Sequence, residues 1–154
     1  MKITVSLGII VLLFFGSCNQ NQPDGKETAA LLQTDKDFNT YCSEHGINAR
    51  FLLFADSAVI EAGERQLPTI GIEALKKAQK SDSGQKLTWE PARGEVSGNL
   101  GYTFGWWKYY AKTKSGKDTI YHGVYTNVWK KQKDGSWKYL VDIGNDTPDP
   151  SGKK

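Results

Sequence analysis

The chain has 154 residues, with 20 basic and 17 acidic side chains, a net charge of +3, two histidines and two cysteines. A balance this close to neutral leaves no electrostatic footprint for nucleic acid, and histidines and thiols this far apart give no metal-ligand spacing. No zinc site and no cofactor is expected, and two cysteines do not make a disulfide framework.

The N-terminus reads as an address. Lys2 precedes an apolar run from Ile3 to Phe15, followed by Gly16, Ser17 and Cys18. The run is short for a permanent membrane span and ends in small residues, the pattern of a cleaved secretory peptide. Phe15-Gly16-Ser17-Cys18 resembles a bacterial lipobox, with Phe15 where leucine is usual. That resemblance implies cleavage before Cys18 and acylation of its sulfur. The other readings are an ordinary secretory peptide with an incidental cysteine and an uncleaved anchor helix. Acylation would hold the protein to a membrane, each buried methylene contributing about 0.8 kcal/mol. The expected location is therefore the bacterial cell envelope, on a periplasmic or outer-membrane face. Residues 1–17 form the expected signal peptide, 18–26 a flexible tether rich in Asn, Gln, Pro and Gly, 27–145 one domain, and 146–154 a disordered tail. Loss of Lys2 leaves a charge of +2, and lipidation of Cys18 leaves Cys42 without a disulfide partner. The run Trp129-Lys130-Lys131-Gln132-Lys133, the one basic and aromatic patch that stands out, reads as a strand end entering a solvated turn in preference to a phosphate-binding site.

Within the domain, Leu31, Leu32, Phe38 and Cys42 recur at helical spacing and predict a helix from Glu27 to about Ser43, ending before His45-Gly46. A short helix follows over Ile47 to Phe54, a strand over Asp56 to Ala62, and a third helix from Ile72 to about Lys80. The period then changes. Aromatic and β-branched residues predict strands over Lys86–Val96, Gly101–Thr113, Asp118–Gln132 and Ser136–Ile143. The gaps carry turn chemistry at Ser97-Gly98-Asn99, Ser115-Gly116-Lys117 and Asp134-Gly135, so these strands are antiparallel neighbours. The two middle strands would each reach roughly 40 Å, which requires a bend, and Gly105 and Gly123 stand where a bulge or kink would allow it. Helices set before a long, curved antiparallel sheet define an α+β fold with the helices in the concave face.

These residues resemble the nuclear transport factor 2-like superfamily, which also holds ketosteroid isomerase and SnoaL-like cyclases. The resemblance is carried by Asp35 and Phe38, Gly46 and Phe51, the segment from Phe54 to Val59, Gly71 to Ala74, Trp89, Tyr102, Gly105, Gly123 to Gln132, Asp134 to Lys138, and Asp142-Ile143-Gly144. It spans nearly all of Glu27 to Asn145 and is most specific toward the C-terminus. It implies a cystatin-like cone with one pocket, often dimeric through the outer, convex face of the sheet. A fold of this kind does not by itself assign an activity.

Candidate site residues come from the stripe pattern. Asp35 lies one turn from Leu31 and Phe38, placing a carboxyl on the helix face toward the sheet. Asp142 stands in an apolar last strand, on the concave face or at the open edge. Such acids serve either as catalytic groups, a general base and a proton donor, or as structural hydrogen-bond anchors. Tyr102, Phe104 and Trp106 share one face of their strand, and Tyr125, Asn127 and Trp129 share one face of the next. If concave, they line an aromatic pocket with Asn127 as a polar anchor; otherwise they form core or a dimer surface. Trp107 and Tyr109 load the opposite face equally, so alternation leaves both faces open. His122 is out of phase with Tyr121 and Tyr125, and no serine or cysteine stands at a triad spacing from it or from His45.

The expected function is a lipid-anchored protein whose aromatic pocket binds a small, partly apolar molecule. The alternatives are a cofactor-independent isomerase, cyclase or dehydratase with Asp35 or Asp142 as base, and a non-enzymatic dimeric scaffold.

Overall fold

The computed structural model describes residues 25–46, 48–63, 66–78 and 86–151. The expected signal peptide, Cys18 and most of the expected tether lie outside the described residues, as do Ile47 and the last residues of the expected third helix. Helix α1 runs over Gly25–His45 and buries Leu31, Asp35, Phe38 and Cys42, the stripe expected from their spacing. It stops at Gly46, whose φ of 88° suits glycine and whose N–H donates to the Cys42 carbonyl at 3.0 Å. Helix α2 spans Asn48–Phe54 and leads directly into strand β1, Ala55–Ala62. A two-residue strand β2, Thr69–Ile70, is too short for alternation to signal, and helix α3 follows over Ile72–Ala78.

Four long strands complete the chain: β3 Lys86–Ser97, β4 Leu100–Lys112, β5 Asp118–Lys131 and β6 Trp137–Thr147. The last strand runs two residues past the expected domain end, and Asp149 then accepts a hydrogen bond from the Ser151 N–H at 2.8 Å. The sheet order is β2-β1-β6-β5-β4-β3. Tight turns make β3 through β6 antiparallel, as expected. Strand β1 joins β6 in parallel, with Glu61 beside Asp142, so the sheet is mixed rather than purely antiparallel. No hairpin constrains that pair, because α3 and four strands intervene between β1 and β6.

Neither of the two glycines expected at a bend carries a bulge. Strands β4 and β5 keep an unbroken register from Leu100 opposite Lys130 to Lys112 opposite Asp118. The irregularities fall between Pro91 and Arg93 in β3, where β6 passes Val128 and Trp129 of β5, and between Ala55 and Ile60 of β1. Gly105 and Gly123 instead allow close approach: a Cβ at Gly105 would strike the Glu90 carbonyl and the Tyr125 ring, and one at Gly123 would enter the Trp107 indole.

Helix α1 lies against β3 and β4. Phe38 is the hub of the core, with ring centroids of Phe54 at 4.6 Å, Trp89 at 4.7 Å, Phe51 at 5.1 Å and Tyr139 at 5.7 Å. Burying an aromatic side chain of this size contributes roughly 2–3 kcal/mol, and edge-to-face pairs add to that. At the start of β1, Asp56 is buried and accepts hydrogen bonds from the Ala58 N–H at 2.9 Å and Gln132 Nε2 at 3.0 Å. The Ala58 amide is the main reason its carboxyl is held below the usual range. Lys131 pairs with Glu27 at 2.7 Å and ties the start of α1 to the end of β5.

Candidate functional site

A cavity of about 650 Å³ lies between the helices and the concave face of the sheet. Phe38 and Phe51 close it from the helix side. Leu87 and Trp89 of β3, with Trp107 and Tyr109 of β4, form one wall. Tyr121, Tyr125 and Asn127 of β5 continue it, and Asp142, Gly144 and Asp146 of β6 complete the far side with Glu61 of β1.

The polar floor is a row across three strands. Asp142 is the register partner of Asn127 on β5 and of Glu61 on β1, and all three line the cavity. Glu61 is held in place by Tyr139, whose hydroxyl donates to its Oε1 at 2.8 Å. Burial raises the Glu61 carboxyl above its ordinary range despite that bond. Asp142 is pushed up to about 7, first by desolvation and then by the neighbouring charges of Glu61 and Asp35. Asn127 is 3% exposed, and its Oδ1 is buried without a hydrogen-bond partner. A buried amide oxygen left unpaired costs roughly 1–3 kcal/mol.

Asp35 is close by but outside the cavity wall. It is fully buried and accepts hydrogen bonds from Trp89 Nε1 and from the Tyr125 hydroxyl, both at 2.8 Å. Thr103 also hydrogen-bonds to it and in turn accepts from Trp129 Nε1 at 2.9 Å. Desolvation outweighs these bonds and raises its carboxyl. The network joins α1 to β3, β4 and β5, which is the structural alternative for this residue.

The six expected aromatic and amide residues divide by face. Tyr125 and Asn127 reach the cavity, and Trp129 is fully buried in the core beside it. Tyr102, Phe104 and Trp106 do not reach the cavity: they lie on the opposite face, with Tyr102 at 41% and Trp106 at 45% exposure. The reason is register. The β4–β5 hairpin turns about Ser115, so odd-numbered residues oppose odd-numbered ones: Thr103 faces Asn127, and Gly105 faces Tyr125. With no bulge at Gly105, the even-numbered aromatics of β4 stay convex and Trp107 and Tyr109 turn inward. His122 is likewise out of phase with the inward residues of β5, and Cys42 is buried in the core.

Glu61 was not among the expected site residues, although it stands two residues after the fully buried Val59 on the same strand face. A carboxylate in phase with a core valine was the available signal. Among the described residues no group of three or more His, Cys, Asp or Glu is arranged to hold a metal ion, and no helix is long and apolar enough to cross a membrane.

A cone of helices in a curved mixed sheet, with a cavity at the concave face, is the nuclear transport factor 2-like, cystatin-like fold. A ketosteroid isomerase-like protein from Erwinia carotovora atroseptica superimposes with a TM-score of 0.68, over 82% of this chain and 100% of that one, at 11% identity. A nuclear transport factor 2-like protein with a cystatin-like fold from Novosphingobium aromaticivorans matches at 0.62, over 77% and 81%, at 10% identity. The CaMKII hub of S. rosetta matches at 0.62, over 82% and 100%, at 15% identity. At these identities the likeness is one of fold. No family model matches the chain, and no curated protein does.

Proposed function

We propose that this is a lipid-anchored envelope protein whose cavity binds a small, partly apolar molecule. The observation that carries the reading is the unpartnered Oδ1 of Asn127, buried in the wall of an aromatic cavity beside Glu61 and Asp142. A buried polar group calls for a hydrogen-bond partner, and an occupant of the adjoining hollow would supply one. A thermal-shift screen of small amphipathic compounds tests this. A ligand at a hundred times its Kd adds about 2.7 kcal/mol to stability, so at least one chemical class is expected to raise Tm in the native chain and not in Asn127→Leu. A screen in which no class does so contradicts the reading.

The anchoring rests on the sequence from Lys2 to Cys18. Labelled palmitate is expected in the wild-type protein and absent from Cys18→Ala; equal labelling of both would end this part of the proposal. For assembly, we favour a homodimer through the convex face, where Leu100, Tyr102, Trp106, Ile120 and Ile143 are exposed around the half-buried Phe104. Trp106→Glu is expected to halve the mass measured by light scattering, and a wild-type monomer would contradict it.

A second reading has one specific observation behind it. Asp142, held near neutrality beside Glu61 in an aromatic cavity, suits proton transfer in a cofactor-independent isomerase, cyclase or dehydratase. In that reading the base is Asp142, and Asp35 serves to position Trp89 and Tyr125. Turnover of an enolisable carbonyl compound that survives Asp142→Asn would exclude it.

A further inference from the structure

We infer that the cavity selects a protonated organic amine carried on an apolar, preferably aromatic, body. The inference rests on the binding reading above and names the ligand class.

The cavity wall is rich in acceptors. Glu61, Asp142 and Asp146 present three carboxyl groups, Asn127 adds its unpartnered amide oxygen, and no described lining residue is basic. Several aromatic donors are already engaged elsewhere. Trp89 Nε1 and the Tyr125 hydroxyl donate to Asp35, and Trp107 Nε1 donates to the Val124 carbonyl at 3.0 Å. Those hydrogens are therefore engaged elsewhere while the rings remain in the cavity wall, and an aromatic ring attracts a cation placed over its face. A carboxylate or phosphate ligand would meet acidic groups there and no basic one among the described lining residues. An ammonium group would complete Asn127, place a counter-charge between Glu61 and Asp142, and leave its hydrocarbon against Trp107, Tyr109 and Tyr121.

The charged groups facing Asp142 are Glu61 on β1 and Asp35 on α1, with the Tyr125 and Tyr139 hydroxyls and Asp146 beside them. None supplies positive charge. An ammonium ion would favour the ionised form of Asp142, so binding releases a proton at neutral pH and tightens as pH rises toward about 8, a range in which an alkylamine keeps its charge.

Three probes of one shape separate the possibilities on the full chain: phenethylammonium, its uncharged isostere propylbenzene, and the anion 3-phenylpropionate. By calorimetry at about pH 8, phenethylammonium is expected to bind about tenfold or more tightly than propylbenzene, with 3-phenylpropionate weakest. Asp142→Asn is expected to remove that advantage of the amine over propylbenzene, and Glu61→Gln, which keeps an acceptor for Tyr139, to reduce it. Lowering the pH to about 5.5 is expected to weaken the amine alone. Propylbenzene binding as tightly as the amine would overturn the inference while leaving the cavity a small-molecule site. Preference for 3-phenylpropionate would overturn it as well. Binding of none of the three would overturn both readings.

Discussion

Asp35→Ala is expected to lower the unfolding free energy by about 3–5 kcal/mol, a large part of the roughly 5–15 kcal/mol available to a domain of this size. The substitution leaves Trp89 Nε1 and the Tyr125 hydroxyl, both in the buried network, without their shared acceptor. It also removes one of the points where α1 is fixed to β3 and β5, the others being Asn39, which accepts from the Trp89 N–H, and the Glu27–Lys131 pair. Asp35→Asn is expected to cost less, about 2 kcal/mol, because one oxygen still accepts while the new NH₂ faces a donor. Urea denaturation monitored by circular dichroism measures both. Stability within about 1 kcal/mol of wild type for Asp35→Ala would mean that the network does not hold the helix, and would return Asp35 to the candidates for chemistry.

Asp142→Asn is expected to act in the opposite direction and stabilise the protein at neutral pH. The sign follows from the shift. The folded carboxyl is raised from 3.8 to about 7, so between those values the unfolded chain ionises while the folded one retains its proton. Stability therefore falls as pH rises through that window, and the deficit is full above about pH 7. A tenfold change in acid strength corresponds to about 1.4 kcal/mol, reduced here because Asp142 is half-buried at the cavity wall and screening by water weakens the effect; an increase on the order of 1–3 kcal/mol is expected at about pH 8. Below about pH 4, where both states are protonated, the variant and the wild type should converge. The amide introduced by the substitution would also offer an N–H toward the neighbouring Asn127 oxygen. Melting curves from about pH 4 to about pH 8 decide the matter: a variant less stable than wild type at the upper end, or a gap independent of pH, would show that the acid is structural. A residue that stabilises on removal is one retained for a task other than folding.

The fold was largely legible because its signals are local. Leu31, Phe38 and Cys42 mark the inward stripe of α1 without reference to anything else. The three turns likewise locate the hairpins from β3 to β6. Features that depend on distant chain segments were less accessible: the parallel seating of β1 beside β6 and the two-residue strand β2 have no turn or period to announce them.

The site follows the same division. Asp142, Tyr125 and Asn127 stand at cavity positions, whereas Tyr102, Phe104 and Trp106 required a register decision that composition does not make. The Thr113 to Lys117 turn contains it: Thr113 N–H donates to the Lys117 carbonyl at 2.8 Å, centring the hairpin on Ser115 and pairing odd residues with odd. Alternation alone gives two equally aromatic faces; the turn shows that Tyr102, Phe104 and Trp106 cannot share a face with Tyr125 and Asn127, and the packing of α1 decides which face is concave. Asp35 presents a different limit. Its place on the helix stripe is visible in the sequence, but the donors from Trp89 and Tyr125 that make it an anchor come from 54 and 90 residues away.

The most direct test of the cavity as a binding site is a titration of isotopically labelled protein with phenethylammonium, following the Asn127 side-chain amide together with the Trp89, Trp106 and Trp107 indole signals by NMR. Saturable shifts of Asn127, Trp89 and Trp107, with Trp106 on the convex face unmoved, are the result expected. Shifts confined to Trp106, or an Asn127 amide that stays still at saturating ligand, would contradict it.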